Sequence, residues 1–585
     1  MGIEETVMGS KDGLSRRAFL TGAAACGLVA ATAAATGCSP KSQGEGTASD
    51  NADAAAADAS SSAGIDWLGT APEITDADCV STEDVDVLVI GAGTAGYFAA
   101  CAAAEEGANT LLIEKGDAGN SVRSSALGAV NTKLQKAQGI EINITDMIND
   151  FDRLSQGREN MRLLRKWAEN SAEAIDWYTD LLAANGMEVQ LEWNMPEGTR
   201  YTEWPVGHGT NGEYPSREGD VAAIMDAYIQ DLGSEVRYRT AMQCLILDGN
   251  KVVGVYATNA NGENIRINAS KGVIVATGGY AYDQKMFEAL HNEDFHSNGL
   301  MDAFPSCTGD GIKALMWAGA SMDSVPSSVS FNRGLLTADM NPLTPYELNW
   351  DICGYFFYSS QPFLRVDPNG NRFHNESAPY EYVMRTSANR PVGQRHWHQI
   401  WDANWKEDVQ RFHTVGCSTI CYREGADHDA FPTMLDDWIE PEMEAFVEAG
   451  FIVKADTLEE LADGLGFNAD QKATFLAVCD RQNENFDNQE DPDFGKEAFR
   501  LSELRTPPIN GTVKSLGFTL CTTDGIRVND DLQPFCANGV IEGVRVVGND
   551  QGSFYGGVYP NLAAGLNAGR CATFGRMAGK ELARG

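Results

Sequence analysis

A glycine triplet constrains this chain more than any other feature: Gly91, Gly93 and Gly96 in the run Asp86-Val-Leu-Val-Ile-Gly-Ala-Gly-Thr-Ala-Gly96. An apolar stretch meets a tight turn, which opens a segment of small residues that includes Ala100, Ala103 and Gly107. The spacing predicts strand, turn and helix. Gly91 permits the turn, Gly93 lets backbone approach a pyrophosphate, and Gly96 with the alanines lets the helix lie close on a sheet. The helix N-terminus faces the phosphates. The next apolar run, Leu111-Leu-Ile-Glu114, ends in a carboxylate placed to take ribose hydroxyls. Strand, helix and terminal acid together imply a bound adenine dinucleotide.

With 585 residues, 43% of them hydrophobic, the chain can bury several cores. Its net charge of −39 argues against nucleic acid and against docking on anionic lipid. Ser15-Arg16-Arg17-Ala18-Phe19-Leu20 precedes an alanine-rich apolar stretch and reads as a twin-arginine export signal over residues 1–37. Ala35-Thr-Gly-Cys38 resembles a lipoprotein cleavage box, which would tie the protein to a membrane through lipid on Cys38; cleavage after Ala33-Ala34-Ala35 is the alternative. Residues 38–64 are Ser, Ala, Gly and Asp with hardly an apolar anchor, the composition of a flexible tether. Past the signal no run approaches the about 20 apolar residues that span a bilayer. The 13 cysteines include no Cys-x-x-Cys and no haem attachment motif, and free buried thiols in an exported protein point to an anaerobic owner. His396-Trp-His398 reads as a solvated loop rather than a metal-ligand pair.

Later segments repeat the apolar, glycine-rich style. Asn170-Ser-Ala-Glu173 looks like a helix start, with Gly186 as its stop. A hairpin is expected around Asp248-Gly249-Asn250. Lys271-Gly-Val-Ile-Val-Ala-Thr-Gly-Gly279 reads as a buried strand, and Thr308-Gly-Asp310-Gly-Ile opens a further helix. From 326 to 516 aromatics and prolines dominate, as in an inserted domain; then Val544-Arg-Val-Val-Gly-Asn-Asp550 resumes the earlier pattern.

In this order, Gly91-Ala-Gly-Thr-Ala-Gly96, Glu114-Lys115, Gly119-Asn-Ser-Val-Arg-Ser-Ser-Ala-Leu-Gly128, Ala276-Thr-Gly-Gly279, Thr308-Gly-Asp-Gly311, Arg372-Phe-His-Asn-Glu376, Asp491-Pro-Asp-Phe-Gly495 and Thr573-Phe-Gly-Arg576 resemble the flavoprotein subunits of the fumarate reductase and succinate dehydrogenase superfamily. The resemblance implies an α/β fold: a Rossmann-like FAD-binding domain in two sequence pieces, 65–325 and 517–585, with an inserted α+β capping domain over 326–516. It implies FAD contacted by Gly91, Gly93, Thr94, Ala95, Gly96, Glu114, Lys115, Asn120, Ser121, Ser125, Gly128, Ala129, Thr277, Gly278, Gly279, Asp310, Asp550, Asn567 and Ala568. Members with covalent flavin carry a histidine in the loop that here reads Gly119-Asn-Ser-Val-Arg, so noncovalent FAD is expected.

Three departures bear on substrate. Where fumarate-reducing members carry a substrate arginine, a histidine and a catalytic arginine, this chain has Leu562, the run Leu520-Cys-Thr-Thr-Asp-Gly525, and Tyr380. A dicarboxylate desolvated there would lack countercharge. Asn375-Glu-Ser-Ala-Pro-Tyr380 and Tyr559-Pro560 instead resemble the 3-ketosteroid dehydrogenases of the same fold. The resemblance implies Tyr380 and Tyr559 as catalytic residues, Tyr380 protonating carbon and Tyr559 binding the substrate carbonyl, aided by a helix beginning near Pro560. Reduction of a small, neutral enone or enoate is expected, and the insert aromatics Tyr355-Phe-Phe-Tyr358, Phe363, Tyr382 and Trp397 suit a ring-bearing one or serve as the cap's own core. Dehydrogenation of the ketosteroid type is the alternative reaction; a tethered solute-binding lipoprotein is the alternative of another class. With no haem motif and no NADH outside the cytoplasm, electrons would come from a quinol-linked cytochrome or a small carrier. Mass spectrometry of the membrane fraction should find a mature N-terminus at Cys38 bearing acyl chains; any other mature N-terminus removes the anchor.

Overall fold

The computed structural model describes residues 66–585 apart from 120–121, 125, 192–200, 202, 211–215, 392, 415–417, 421–434 and 560, and apart from the side chains of 216 and 217. The export signal, the tether and Cys38 lie outside the described residues. Among the described residues no helix is long and apolar enough to cross a membrane.

The central strand β1 (Ser81–Ile90) starts exposed and ends with Val87, Leu88, Val89 and Ile90 all buried. Burial on both faces is what a run without polar alternation requires. Gly91 follows at φ +103, where a Cβ would overlap the carbonyl of Ala276, so only glycine completes the turn. Helix α1 (Thr94–Glu105) is buried at every position from Thr94 to Ala104, because its small side chains let it sit low on the sheet. Strand β2 (Thr110–Ile113) pairs with β1 in parallel, Leu88 opposite Leu111. The long helix α2 (Met161–Ala184) is capped by Asn160, whose Oδ1 accepts from the Arg162 and Leu163 amides. The expected start at Asn170 is therefore misplaced: Asn170 sits mid-helix and donates to the Lys166 carbonyl.

Strands β3 (Glu235–Arg237), β4 (Ala241–Asp248), β5 (Lys251–Thr258) and β6 (Asn264–Val275) extend the sheet. The expected hairpin joins β4 to β5, Asp248 opposite Lys251. Helix α3 (Asp310–Trp317) opens at Gly309, as the sequence predicted. A mixed four-stranded sheet follows the order β7 (Asn298–Met301), β14 (Lys514–Thr522), β8 (Ser328–Leu336) and β9 (Gly354–Tyr355). A separate antiparallel sheet, in the order β10 (Leu364–Val366), β11 (His398–Trp401), β13 (Ile509–Thr512) and β12 (Ile452–Ala455), lies wholly within the insert. Strand β15 (Val544–Val546) then returns to the first sheet, parallel to the end of β6 with Val544 opposite Val273. Helix α5 (Leu566–Arg584) packs along α1. The Rossmann-like layer is thus assembled from two stretches of chain, with helix α4 (Tyr380–Ala388) delivered from the insert between them.

Most insert aromatics are the cap's own core. Phe356, Tyr358 and Phe363 pack with Trp401, Trp405 and Phe412, fully buried or nearly so. Trp397 is likewise buried, between His396 and His398, so this stretch is β strand and interior rather than a solvated loop. His398 Nδ1 faces the Thr512 carbonyl at 3.0 Å, and burial pushes both imidazoles down, to about 3 and about 4. Among the described residues no group could hold a metal ion, and nine cysteines are free, with Cys101, Cys353, Cys479 and Cys571 buried. Gly96 tests the closeness of α1 to the sheet. A Cβ there would overlap the Gly91 carbonyl, which is backbone and cannot yield. Gly96→Ala should cost about 1–3 kcal/mol, read as a lower Tm together with flavin lost on purification.

Candidate active site

One cavity opens where β1, β2 and β6 end. The N-terminal turn of α1 faces it through Gly93, Thr94 and Ala95, and its N-cap, Gly93, brings no capping side chain, the arrangement of an anion-facing helix start. Glu114, just past β2, is held as a fixed acceptor: its Oε2 accepts from the Ala92 amide at 2.8 Å and its Oε1 from the Gly116 amide at 2.8 Å. Lys115 donates to Asp310 at 2.7 Å and to Thr308 at 2.8 Å, fastening the start of α3 beside it. Thr277 and Gly278 come from the end of β6, and Asn567 and Ala568 from the first turn of α5. A helix start with glycine at its N-cap and a lining carboxylate fixed just past β2 fit the dinucleotide half of FAD.

Other expected cofactor residues stand behind this wall. Gly96 packs on Gly91, Gly279 on Thr522, and Gly128 on Gly565, whose carbonyl accepts from the Gly128 amide at 2.8 Å. Ala129 is buried and donates to the Val206 carbonyl. Asp550 is buried; it accepts from the Thr277 hydroxyl at 2.9 Å and the Gly278 amide at 3.0 Å. Each shapes the lining without being part of it, since close packing or hydrogen bonding has already used its free surface. Asn120, Ser121 and Ser125 lie outside the described residues.

The same cavity is lined by both candidate tyrosines. Tyr380, the first residue of α4, stacks on Phe331 with centroids 4.8 Å apart, and its hydroxyl donates to Asn561 Oδ1 at 2.6 Å. The loop leading to it is pinned by a buried ion cluster. Arg372 reaches Glu376 and Asp491, each at 2.8 Å, and Asn375 donates to the Phe494 carbonyl, so the Arg372–Glu376 and Asp491–Gly495 motifs meet. Tyr559 is buried, and its hydroxyl accepts from the Asn567 amide at 3.4 Å. The helix expected near Pro560 begins at Leu566 instead, and Pro560 lies outside the described residues. Sequence reasoning also missed Phe331, Val329, Asn561 and Arg123 as lining residues. Of these, Arg123 is tied by its amide to Thr94 Oγ1 at 2.9 Å, and its guanidinium lies 3.9 Å from Glu218.

The sequence profile of the FAD binding domain family matches residues 86–566, and the chain belongs to that family. Its cofactor is FAD. The chain is similar to vinyl phenol reductase of Lactiplantibacillus plantarum, with 26% identity over 509 residues covering 86% of this chain and 97% of that one. It is also similar to NADH:fumarate oxidoreductase of Klebsiella pneumoniae, with 24% identity over 85% of this chain, but spans only 48% of that protein's length. Among solved structures, 3-ketosteroid-delta4-(5alpha)-dehydrogenase of Rhodococcus jostii shares the fold, with TM-score 0.64, 19% identity and coverage of 88% of this chain and 99% of that one.

Asp550 supplies a test of the wall's electrostatics. Burial pushes its carboxyl up to about 7, against hydrogen bonds from Thr277 and Gly278 that pull it down. A carboxyl raised by folding favours the native state below its unfolded value and loses that contribution as pH rises through the folded value. Wild-type Tm should therefore fall by some degrees between about pH 4 and pH 7 relative to Asp550→Asn, which has no proton to lose; parallel Tm profiles would contradict the assignment.

Proposed function

We propose that the chain is an exported FAD-dependent reductase acting on an activated carbon–carbon double bond of a neutral enone or enoate. The observation that carries this reading is the placement of two phenol hydroxyls, Tyr380 and Tyr559, in one cavity with the dinucleotide-binding wall. Bound FAD, held noncovalently and reduced, supplies the electron pair. Tyr559 donates a hydrogen bond to the carbonyl oxygen on which negative charge develops, beside the N-terminus of α5. Tyr380 protonates the α-carbon, its phenol hydroxyl acting as the general acid. Asn561 Oδ1 accepts from that hydroxyl and fixes its direction.

Phe331, Val329 and Leu520 make the surrounding surface apolar. Among the described residues lining the cavity Arg123 is the one arginine, its guanidinium 3.9 Å from Glu218, and Tyr380 and the Leu520–Cys521 run stand where a dicarboxylate would need cationic side chains. Phe331 already packs against Tyr380, Phe518 and the Arg333 guanidinium, and the cap aromatics belong to the cap interior, so a ring-bearing substrate is favoured by similarity rather than by an open aromatic face. The similarity to vinyl phenol reductase supports reduction of a carbon–carbon double bond conjugated to a ring. The reverse reaction uses the same two tyrosines, and the shared fold with a ketosteroid dehydrogenase favours keeping it as the second reading. The twin-arginine motif supports export, with electrons drawn from a quinol-linked cytochrome or a small carrier.

Anaerobic reoxidation of the dithionite-reduced protein tests the assignment. An aromatic enone such as 4-phenyl-3-buten-2-one, or 4-androstene-3,17-dione, should reoxidise it and fumarate should not; the opposite result overturns the reading. Tyr380→Phe should retain flavin while kcat falls about 10²–10⁴-fold, and near-normal turnover would remove Tyr380 from the chemistry.

A further inference from the structure

Helix α5 carries, near its start, a buried cation with no acid beside it. Arg570 is fully buried, and its guanidinium donates to uncharged oxygens: the Gln551 carbonyl, Asn549 Oδ1 and Asn567 Oδ1, each at 2.9 Å. Its Nε has no hydrogen-bond partner, and among the described residues it makes no ion pair. Asp550, the acid between Asn549 and Gln551, bonds Thr277 and Gly278 instead. The rings of Phe554 and Tyr555, with centroids 5.5 and 5.0 Å from the guanidinium carbon, complete its surroundings. A cation this close to a helix N-terminus adds to the positive end of the helix rather than offsetting it. Desolvating it without a counterion is costly. The basic side chains that line the cavity differ in this respect, since Lys115 faces Asp310 at 2.7 Å and Arg123 faces Glu218 at 3.9 Å.

Asn567 joins this cation to the cavity. Its Oδ1 accepts from Arg570 at 2.9 Å and from the Tyr555 hydroxyl at 3.2 Å, which fixes the amide with its nitrogen as the free donor end. That Nδ2 reaches Cys521 Sγ at 3.7 Å, and Asn567, Cys521 and Tyr559 all line the cavity. Sulfur is a weak acceptor, and the second Nδ2 hydrogen has no bond among the described residues. We propose that Arg570 is a positioning residue for the cofactor: through Oδ1 it locks and polarises the Asn567 amide, so that Nδ2 meets bound FAD as a charge-backed donor and raises its affinity for electrons. Reduction adds negative charge to the cofactor, and a donor backed by a cation favours that form over the oxidised one. The proposal rests on FAD in this cavity, and not on which substrate it reduces or on Tyr380 as the acid.

The midpoint potential of the bound FAD and its affinity for sulfite test this on the holoprotein without substrate. Sulfite adds its lone pair to the oxidised ring and leaves its charge there, so a cation behind the donor tightens it. In Arg570→Met sulfite should bind about tenfold more weakly. The potential should fall by about 30 mV, the same factor for a two-electron couple. Arg570→Lys keeps the charge, and Tyr555→Phe removes an uncharged donor from the same oxygen, so both should stay near wild type. An unmoved potential and sulfite affinity in Arg570→Met overturn the proposal, and so does an Arg570→Lys that falls as far as Arg570→Met. Weaker FAD retention with the potential unmoved assigns the charge to the pyrophosphate and overturns it too. If Arg570→Met loses its FAD, Asn567→Ala decides: without the amide both readings should fall, and wild-type values overturn the proposal. Reoxidation by enones and turnover of Tyr380→Phe judge the substrate and proton-donor readings separately.

Discussion

The structure depends on backbone-to-backbone approach of α1 and α5. A Cβ on Gly575 would overlap the carbonyl of Ala95, and one on Gly579 the carbonyl of Ala99. Two helices from opposite ends of the FAD-binding layer can meet this closely only when side chains are absent from the contact. The approach seats the first turn of α5 beside the dinucleotide-binding turn, which is why Asn567 and Ala568 share a wall with Gly93 and Thr94. Arg576 then fastens the outer side of the pair, bridging Glu105 at 2.8 Å and Glu173 at 3.0 Å with its guanidinium 4.2 Å from the Trp177 ring centroid.

The substrate end is held by different physics. There the loop into α4 is set by the buried cluster of Arg372, Glu376 and Asp491, joined by Lys496 at 3.6 Å from Glu376. Such charges add little net stability when desolvated, but breaking one leaves another uncompensated, so the geometry has few alternatives. Packing positions the cofactor wall, and paired charge positions the tyrosine that faces it.

What the sequence made legible follows from how local each feature is. The turn at Gly91, the hairpin at Gly249 and the helix at Asp310 are specified within a few residues, and they stand where the pattern put them. The two-piece layer was legible because the pattern of β1 returns at Val544. Of the substrate end, Tyr380, Tyr559 and the Leu520 run were legible by resemblance, but Phe331 and Asn561 come from distant segments and carry no local signature of facing a cavity. Aromatic composition left two readings open for the same reason, since abundance does not say which way Phe356 or Phe363 points, and the structure puts them in the cap's own core. Asn170 looked like a cap because its short-range pattern is shared by mid-helix residues, and only the upstream Asn160 breaks the tie.

The return of β15 to the first sheet has a consequence for biogenesis. A nascent chain that has emerged only to about residue 540 leaves the C-terminal half of β6 with one flank bare, an open edge inviting wrong partners. The insert, with a sheet and cores of its own, can consolidate meanwhile. The dinucleotide layer closes only when Val544–Val546 and the helix after it arrive, so cofactor uptake marks a late step in maturation rather than its beginning.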